Sequence, residues 1–207
     1  MKSKFFGHLM LITKHRFMVF KHCLKCGLVW RGLVHDLSKF SPVEFWESVR
    51  YFSGEHSPIE ECRKIKGYSD CWIHHKNHNK HHIEYWYDAS NKVQRNMPYK
   101  YAVECICDKI AAAKCYNKKT YTPQKVLNHW INKGSHADTN DNMKSFFSKV
   151  FYDLVDLGEK QVLNKKYLKK TYNEIVLKKD IAKENIKNYT NRRFENQMTP
   201  GGFNGKS

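Results

Sequence analysis

The amino-acid sequence predicts an all-α protein. Three observations carry that expectation. Apolar residues recur at helical spacing in successive segments, Ser-Pro or Thr-Pro dipeptides stand where helices should begin, and no segment of useful length alternates apolar with polar residues as a half-buried strand would.

The stretch from about Phe5 to Cys26 carries Phe6, Leu9, Met10, Phe17, Phe20 and Leu24 at helical spacing, with Gly27 placed to stop it. His8, His15 and His22 recur on it at intervals of seven and therefore share roughly one face. Ser41-Pro42-Val43-Glu44 opens a second helix: Ser41 caps, Pro42 takes the first-turn position that needs no amide partner, and Glu44 completes a capping box. Ser57-Pro58-Ile59-Glu60 repeats the device for a short helix ending near Gly67. Ser69 can cap a further helix through Cys71, Trp72 and Ile73 into the His-rich run His74 to His82. Asn77 and Asn79 are poor helix formers, so the sequence leaves open whether one helix crosses that run.

Pro98 opens the clearest helix, with Tyr101, Ala102, Cys105, Ile106, Ile110 and Ala113 as an apolar stripe and Asp108 beside it. Thr122-Pro123 starts another that Gly134 should end, and a helix from about Asp141 ends near Gly158. Beyond Gly158 the chain turns Lys- and Asn-rich, as a long solvated helix would, and Met198 to Ser207 reads as a Gly-rich disordered end. The expected organisation is a metal-binding helical domain over 1–157 followed by a Lys-rich helical extension and tail over 158–207.

With 207 residues, 41% hydrophobic and 14% aromatic, the chain has ample material for a core, which excludes a disordered or disulfide-stapled class. The formal charge of +17 favours anionic partners such as nucleotides, nucleic acid or phospholipid headgroups, although AT-rich codon usage produces the same Lys and Asn enrichment. No compact Arg cluster marks a nucleic-acid-reading face. Seven cysteines, an odd count without framework spacing, predict reduced thiols and a cytoplasmic location. Cys23-x-x-Cys26 lacks the second pair that a structural zinc site needs, so buried thiols are expected there. The apolar stretch Phe5 to Phe20 is interrupted by His8, Lys14, His15 and Arg16, too short and polar for a spanning helix or a signal peptide. Trp30, Trp46, Trp72, Trp86 and Trp130 read as core and rim aromatics rather than a base-stacking platform.

Imidazole and carboxylate side chains follow one another in an order that suits a divalent cation: His22, then His35-Asp36, then His74/His75, then His81/His82, then Asp108. An adjacent His-Asp pair can send the imidazole to one metal while the carboxylate bridges two. His75, His81 and His82 are candidate ligands from the His-rich run, and His74 and Glu84 are candidates for a further ligand or for orienting a ligand imidazole. His8 and His15 are expected to be helix-face or core residues, and His56, His129 and His136 carry no specific signal.

The string His35-Asp36-Leu37-Ser38-Lys39 resembles the His-Asp-x-x-Lys signature of the HD superfamily, and Cys107 to Ala112 resembles its closing Asp motif. The HDLSKF, NKHH-EYW and MPYKYAVE blocks, over about Phe5 to Lys118, also resemble an uncharacterised bacterial and phage family. The HD resemblance implies a helical bundle with His22 as the first ligand, His35 and Asp36 as the eponymous pair and Asp108 as the last. It further implies that Lys39 contacts a substrate phosphate or a metal-bound oxidant. In two-metal relatives the remaining histidines usually lie on separate helices, whereas here the pairs are only seven apart.

The implied activity is metal-dependent hydrolysis of a nucleotide or other small phosphate ester, with Asp36 and Lys39 as the catalytic residues. The cofactor would be one or two divalent ions drawn from Mn, Fe, Zn, Co or Mg. A di-iron oxygenase on the same scaffold, and a non-catalytic basic protein that binds nucleotides or nucleic acid, are the alternatives.

Overall fold

The computed structural model describes residues 2–132 and 139–178, and among these the protein is all-α apart from one minimal hairpin. Helix α1 spans Lys2–Lys25 and α2 Val29–Val34, followed by a 3-10 turn over Leu37–Phe40. Next come α3 (Pro42–Tyr51), α4 (Pro58–Lys66) and α5 (Asp70–His78), then a second 3-10 turn at Ile83–Trp86. Strands β1 (Tyr87–Asp88) and β2 (Val93–Gln94) pair antiparallel with Tyr87 opposite Gln94, a ladder too short to show any alternation in sequence. Helices α6 (Tyr99–Asn117), α7 (Pro123–Asn132) and α8 (Asp141–Leu157) follow, and α9 (Glu159–Val162), α10 (Lys165–Tyr172) and a π-helical turn at Asn173–Leu177 complete the described chain.

The start signals act largely as their chemistry demands. Ser41 accepts from the Glu44 amide, Ser69 from the Trp72 amide and Asn140 from the Met143 amide, each satisfying a first-turn donor. Ser57 makes no side-chain cap bond, and there Pro58 alone marks the start. Gly27, Gly67 and Gly158 all adopt positive φ where the preceding helix ends. Helix α5 stops at His78, with Asn79 extended, so the His-rich run is divided between a helix and the turn that follows it.

Helix α6 forms the central wall. It packs on α1 and α2 on one side and on α7 and α10 on another. Its Ile106 and Ile110 belong to a core with Trp130, Phe146, Phe147 and Phe151, all close to fully buried. Residues after Gly158 join that same core through Val162, Leu163, Leu168, Tyr172 and Val176. The long solvated helix expected there is therefore replaced, as far as residue 178, by two short helices and a π-turn that bury one apolar face and leave the lysines outside. Burial of that face outweighs the polar composition of the segment. The helix stop at Gly134, His136 and the tail from Met198 lie outside the described residues.

All seven cysteines are free and buried, as expected. Cys107 lies 3.9 Å from Cys26, and contacts with Cys23 and Cys26 together with burial push its thiol well above the usual range, which leaves it inert as a nucleophile. No helix among the described residues is long and apolar enough to cross a membrane.

Gly32 is the point where α2 meets α1. A methyl group there would stand 2.9 Å from Cys23 Cβ and 3.0 Å from Phe20 Cα, and the latter is backbone that cannot swing aside. Replacing Gly32 with Ala should therefore destabilise the protein by about 1–3 kcal/mol, read as a lower midpoint in chemical denaturation.

Candidate metal centre

The centre is built where α1, the α2–α3 connection, α5 with its following turn, and α6 converge. His15 comes from α1, His35 and Asp36 from the end of α2, His75 from α5, His81 and His82 from the turn after it, and Asp108 from α6. Consecutive residues of a helix point about 100° apart and those of a strand about 180° apart, so neither element lets His35 and Asp36 face one point. The backbone solves this by placing Asp36 in the left-handed region at φ +52°, a conformation that Asp tolerates better than most residues.

Asp36 stands between two sets of imidazoles. Its Oδ2 lies 3.3 Å from His35 Nε2 and 3.8 Å from His15 Nε2, and its Oδ1 lies 3.4 Å from both His75 Nε2 and His81 Nε2. Asp108 closes the first set, with Oδ1 3.0 Å from His15 Nε2 and 3.6 Å from His35 Nε2. His15, His35, Asp36 and Asp108 can thus hold one cation, and Asp36, His75, His81 and His82 a second, with Asp36 shared.

The donors fit a cation on a further observation. Asp36 Oδ1, His81 Nε2 and His82 Nε2 are buried without a hydrogen-bond partner, and each such atom costs about 1–3 kcal/mol when left unsatisfied. All three belong to the second donor set, where a divalent ion would satisfy them together. Nitrogen and carboxylate oxygen in this proportion suit Mn, Fe, Co or Zn better than Mg, which prefers oxygen.

Two buried carboxylates orient the imidazoles from behind. His35 Nδ1 donates to Glu104 Oε1 at 3.0 Å, and Arg31 Nε donates to Glu104 Oε2 at 2.6 Å, so Glu104 is fixed from both sides. Glu44 accepts from His74 Nδ1 and His75 Nδ1, each at 2.7 Å. A carboxylate on Nδ1 fixes the tautomer that leaves Nε2 as the ligand atom. Burial alone would raise the Glu104 pKa, but the His35 and His81 imidazoles and Arg31 overcome it and hold the carboxyl at about 2. Burial likewise opposes ionisation of Asp36 and Asp108. The facing imidazoles, with Lys39 beside Asp36, hold both carboxyls well below the usual range. When a divalent cation replaces protons at Nε2, those imidazoles become neutral ligands and the negative charge remains matched.

Several expectations need correction. His22 is not part of the centre: its Nδ1 sits 3.3 Å from the Cys107 carbonyl, and burial pulls its pKa down to about 4. His15, expected to be a core or helix-face residue, takes the place assigned to His22. The two are seven residues apart, about 10 Å along the axis, so one face serves both but only one reaches the site. His74 joins the centre only through Glu44, and Glu84 is exposed, so orientation falls to Glu44 and Glu104 instead. Glu104 was legible in one respect, since it precedes Asp108 by four residues and so shares its helix face. Glu44 was concealed by its place in a capping motif: its amide completes the cap, while its carboxylate, 1% exposed, turns to the histidines.

A cavity of about 410 Å³ opens on the centre, reached by His15, Lys39, His75 and Asp108 and walled by Ile12, Ile59 and Val126. Lys39 Nζ lies 2.8 Å from Asp36 Oδ2, at the junction of cavity and centre.

Replacing His15 with Ala should lower the metal content of purified protein in elemental analysis by disabling the first donor set, whereas His22→Ala should leave it unchanged. Glu44→Gln and Glu104→Gln should each weaken metal affinity by about 10–100-fold while leaving helical circular dichroism unchanged. Equal metal loss in the His15 and His22 variants would contradict this assignment.

Comparison with curated proteins and with solved structures gives no match. A family model does match, over residues 4–153, and that span contains every residue of the two donor sets and both supporting carboxylates. The chain belongs to this family, the family of unknown function DUF5662.

Proposed function

We propose that the protein is a metal-dependent phosphohydrolase of HD type that acts on a nucleotide or another small phosphate ester. The observation that carries this reading is the position of Asp36, whose two oxygens face separate imidazole sets beside a cavity that Lys39 lines. A divalent cation held there supplies Lewis acidity and brings the pKa of a bound water to about 7, so that hydroxide is present at neutral pH.

The chain's own residues account for the rest. Lys39, held against Asp36, presents an ammonium to the cavity where a phosphoryl oxygen would lie, and its pKa is raised because Asp36 and Asp108 outweigh the cost of burial. Lys109 and Lys125 line the same cavity, as do Glu55, Glu60 and Glu84, and the two lysines offer further contacts to a phosphate. The apolar wall of Ile12, Ile59 and Val126 offers a surface for the organic part of the ester. A volume near 410 Å³ is within the range for a small-molecule site, and larger polymeric substrates would have to enter by an end. Burial of His35, Asp36 and His81 keeps bulk water from the donor atoms, which strengthens each electrostatic contact made there.

Protein loaded with Mn, Fe or Co should release inorganic phosphate from members of a nucleotide and sugar-phosphate panel. Asp36→Asn and Lys39→Ala should each lower kcat/KM by about 100-fold or more. If Asp36→Asn left metal content and phosphate release unchanged, the proposal would fail. Oxygen uptake without phosphate release from the iron-loaded protein would replace it with an oxygenase reading of the same centre.

A further inference from the structure

Helix α1 is amphipathic in the inverse sense. Its inward face carries His8, Ile12, His15, Val19 and His22, all buried, whereas its outward face presents Phe6 at 61% exposure, Met10 at 72% and Phe17 at 56%. A solvent-facing helix stripe is ordinarily polar. The candidate metal centre explains why imidazoles turn inward, but nothing among the described residues explains why aromatics turn outward.

The exposure continues along the chain packed beside α1. Trp30 on α2 is 71% exposed, and Trp46 on α3 is 57% exposed. Contacts join these elements on one side of the molecule. Arg16 of α1 donates to the carbonyls of Leu33 and His35 and lays its guanidinium over the exposed Phe40 ring at 5.2 Å. The Trp46 ring lies 6.0 Å from Phe5, which in turn touches Phe6 at 5.2 Å. Apolar side chains scattered singly over a surface need no explanation, but a run along three adjoining elements marks an interaction surface.

Charge identifies the partner. The first 46 residues contain eight Lys or Arg and only two carboxylates, Asp36 and Glu44. Both carboxylates are buried in the metal centre, and Glu47, the next on α3, is only 12% exposed and engaged by Ser69 and Lys66. Lys14, Lys21 and Lys25 stand exposed along the edge of the α1 stripe, with Lys21 Nζ 4.3 Å over the Phe17 ring. A second copy of the chain would set these lysines against their own kind, on a molecule already at +17. An anionic bilayer offers negative headgroups for the lysines and an acyl boundary for Trp, Phe and Leu at once.

We propose that the outer face of α1, α2 and α3 docks on anionic phospholipid bilayers as a peripheral contact. The cavity lies on the other side of α1, lined by His8, Ile12 and His15, so docking leaves it uncovered.

Full-length protein should pellet with vesicles of phosphatidylcholine containing about a third phosphatidylglycerol, and not with pure phosphatidylcholine. The double substitution Trp30→Ser with Trp46→Ser should weaken this by about tenfold or more at an unchanged thermal midpoint, because both rings are exposed. Lys14→Glu with Lys21→Glu should do the same and remove the salt dependence. Failure to pellet with anionic vesicles would overturn the proposal. So would full retention by the double Trp variant, which would reduce the effect to charge alone and fit a nucleic-acid partner equally. A concentration-dependent dimer in sedimentation velocity that the Trp substitutions dissolve would assign the face to a second copy instead.

Discussion

One carboxylate placed between two groups of imidazoles organises the functional half of this protein. Asp36 is 1% exposed and faces four histidine rings and a lysine. Bringing so many polar and ionisable groups out of water is unfavourable unless each finds a partner, and the surrounding helices are arranged to supply those partners. Glu104 with Arg31 secures one ring, and Glu44 secures another, each reaching in from its own helix. The result is a rigid polar interior in which orientation is set by hydrogen bonds rather than by packing alone.

The other half of the molecule supplies the stability that such an interior consumes. Helix α6 carries Glu104 and Asp108 toward the histidines and Ile106 and Ile110 toward Trp130, Phe146 and Phe147. A single helix thereby couples the position of a candidate ligand to the buried aromatic cluster of the core. The segment after Gly158 adds Leu163, Leu168 and Val176 to that packing, although none of these residues approaches the centre.

Helix boundaries were largely legible because Ser, Pro and Gly act locally: Ser41-Pro42, Ser69, Pro123 and Gly158 do in the fold what their backbone chemistry requires. The convergence of these side chains was legible too, since His35-Asp36 and Asp108 are brought together as the sequence order suggests. Which repeat of an equally spaced series supplies the first ligand was not. His8, His15 and His22 are nearly equivalent in helical phase, and they differ only in position along the axis of α1. Glu44 satisfied a local motif so well that its distant partners left no trace in the neighbouring sequence. The Lys-rich stretch after Gly158 misled in the opposite sense, because composition averages over a narrow apolar stripe that suffices for docking.

The two donor sets differ in how far apart their members lie along the chain. His75, His81 and His82 fall within one short segment broken by Asn79, whereas His15, His35 and Asp108 span most of the family-matched region. Closing a short loop costs little entropy, while uniting distant residues requires the tertiary structure to exist already. The second set needs only the histidine segment and Asp36 at the end of α2, whereas the first also needs Asp108 of α6 to have docked. A cation in the second group would thus tie the histidine segment to the end of α2, and a cation in the first would tie α1 and α2 to α6.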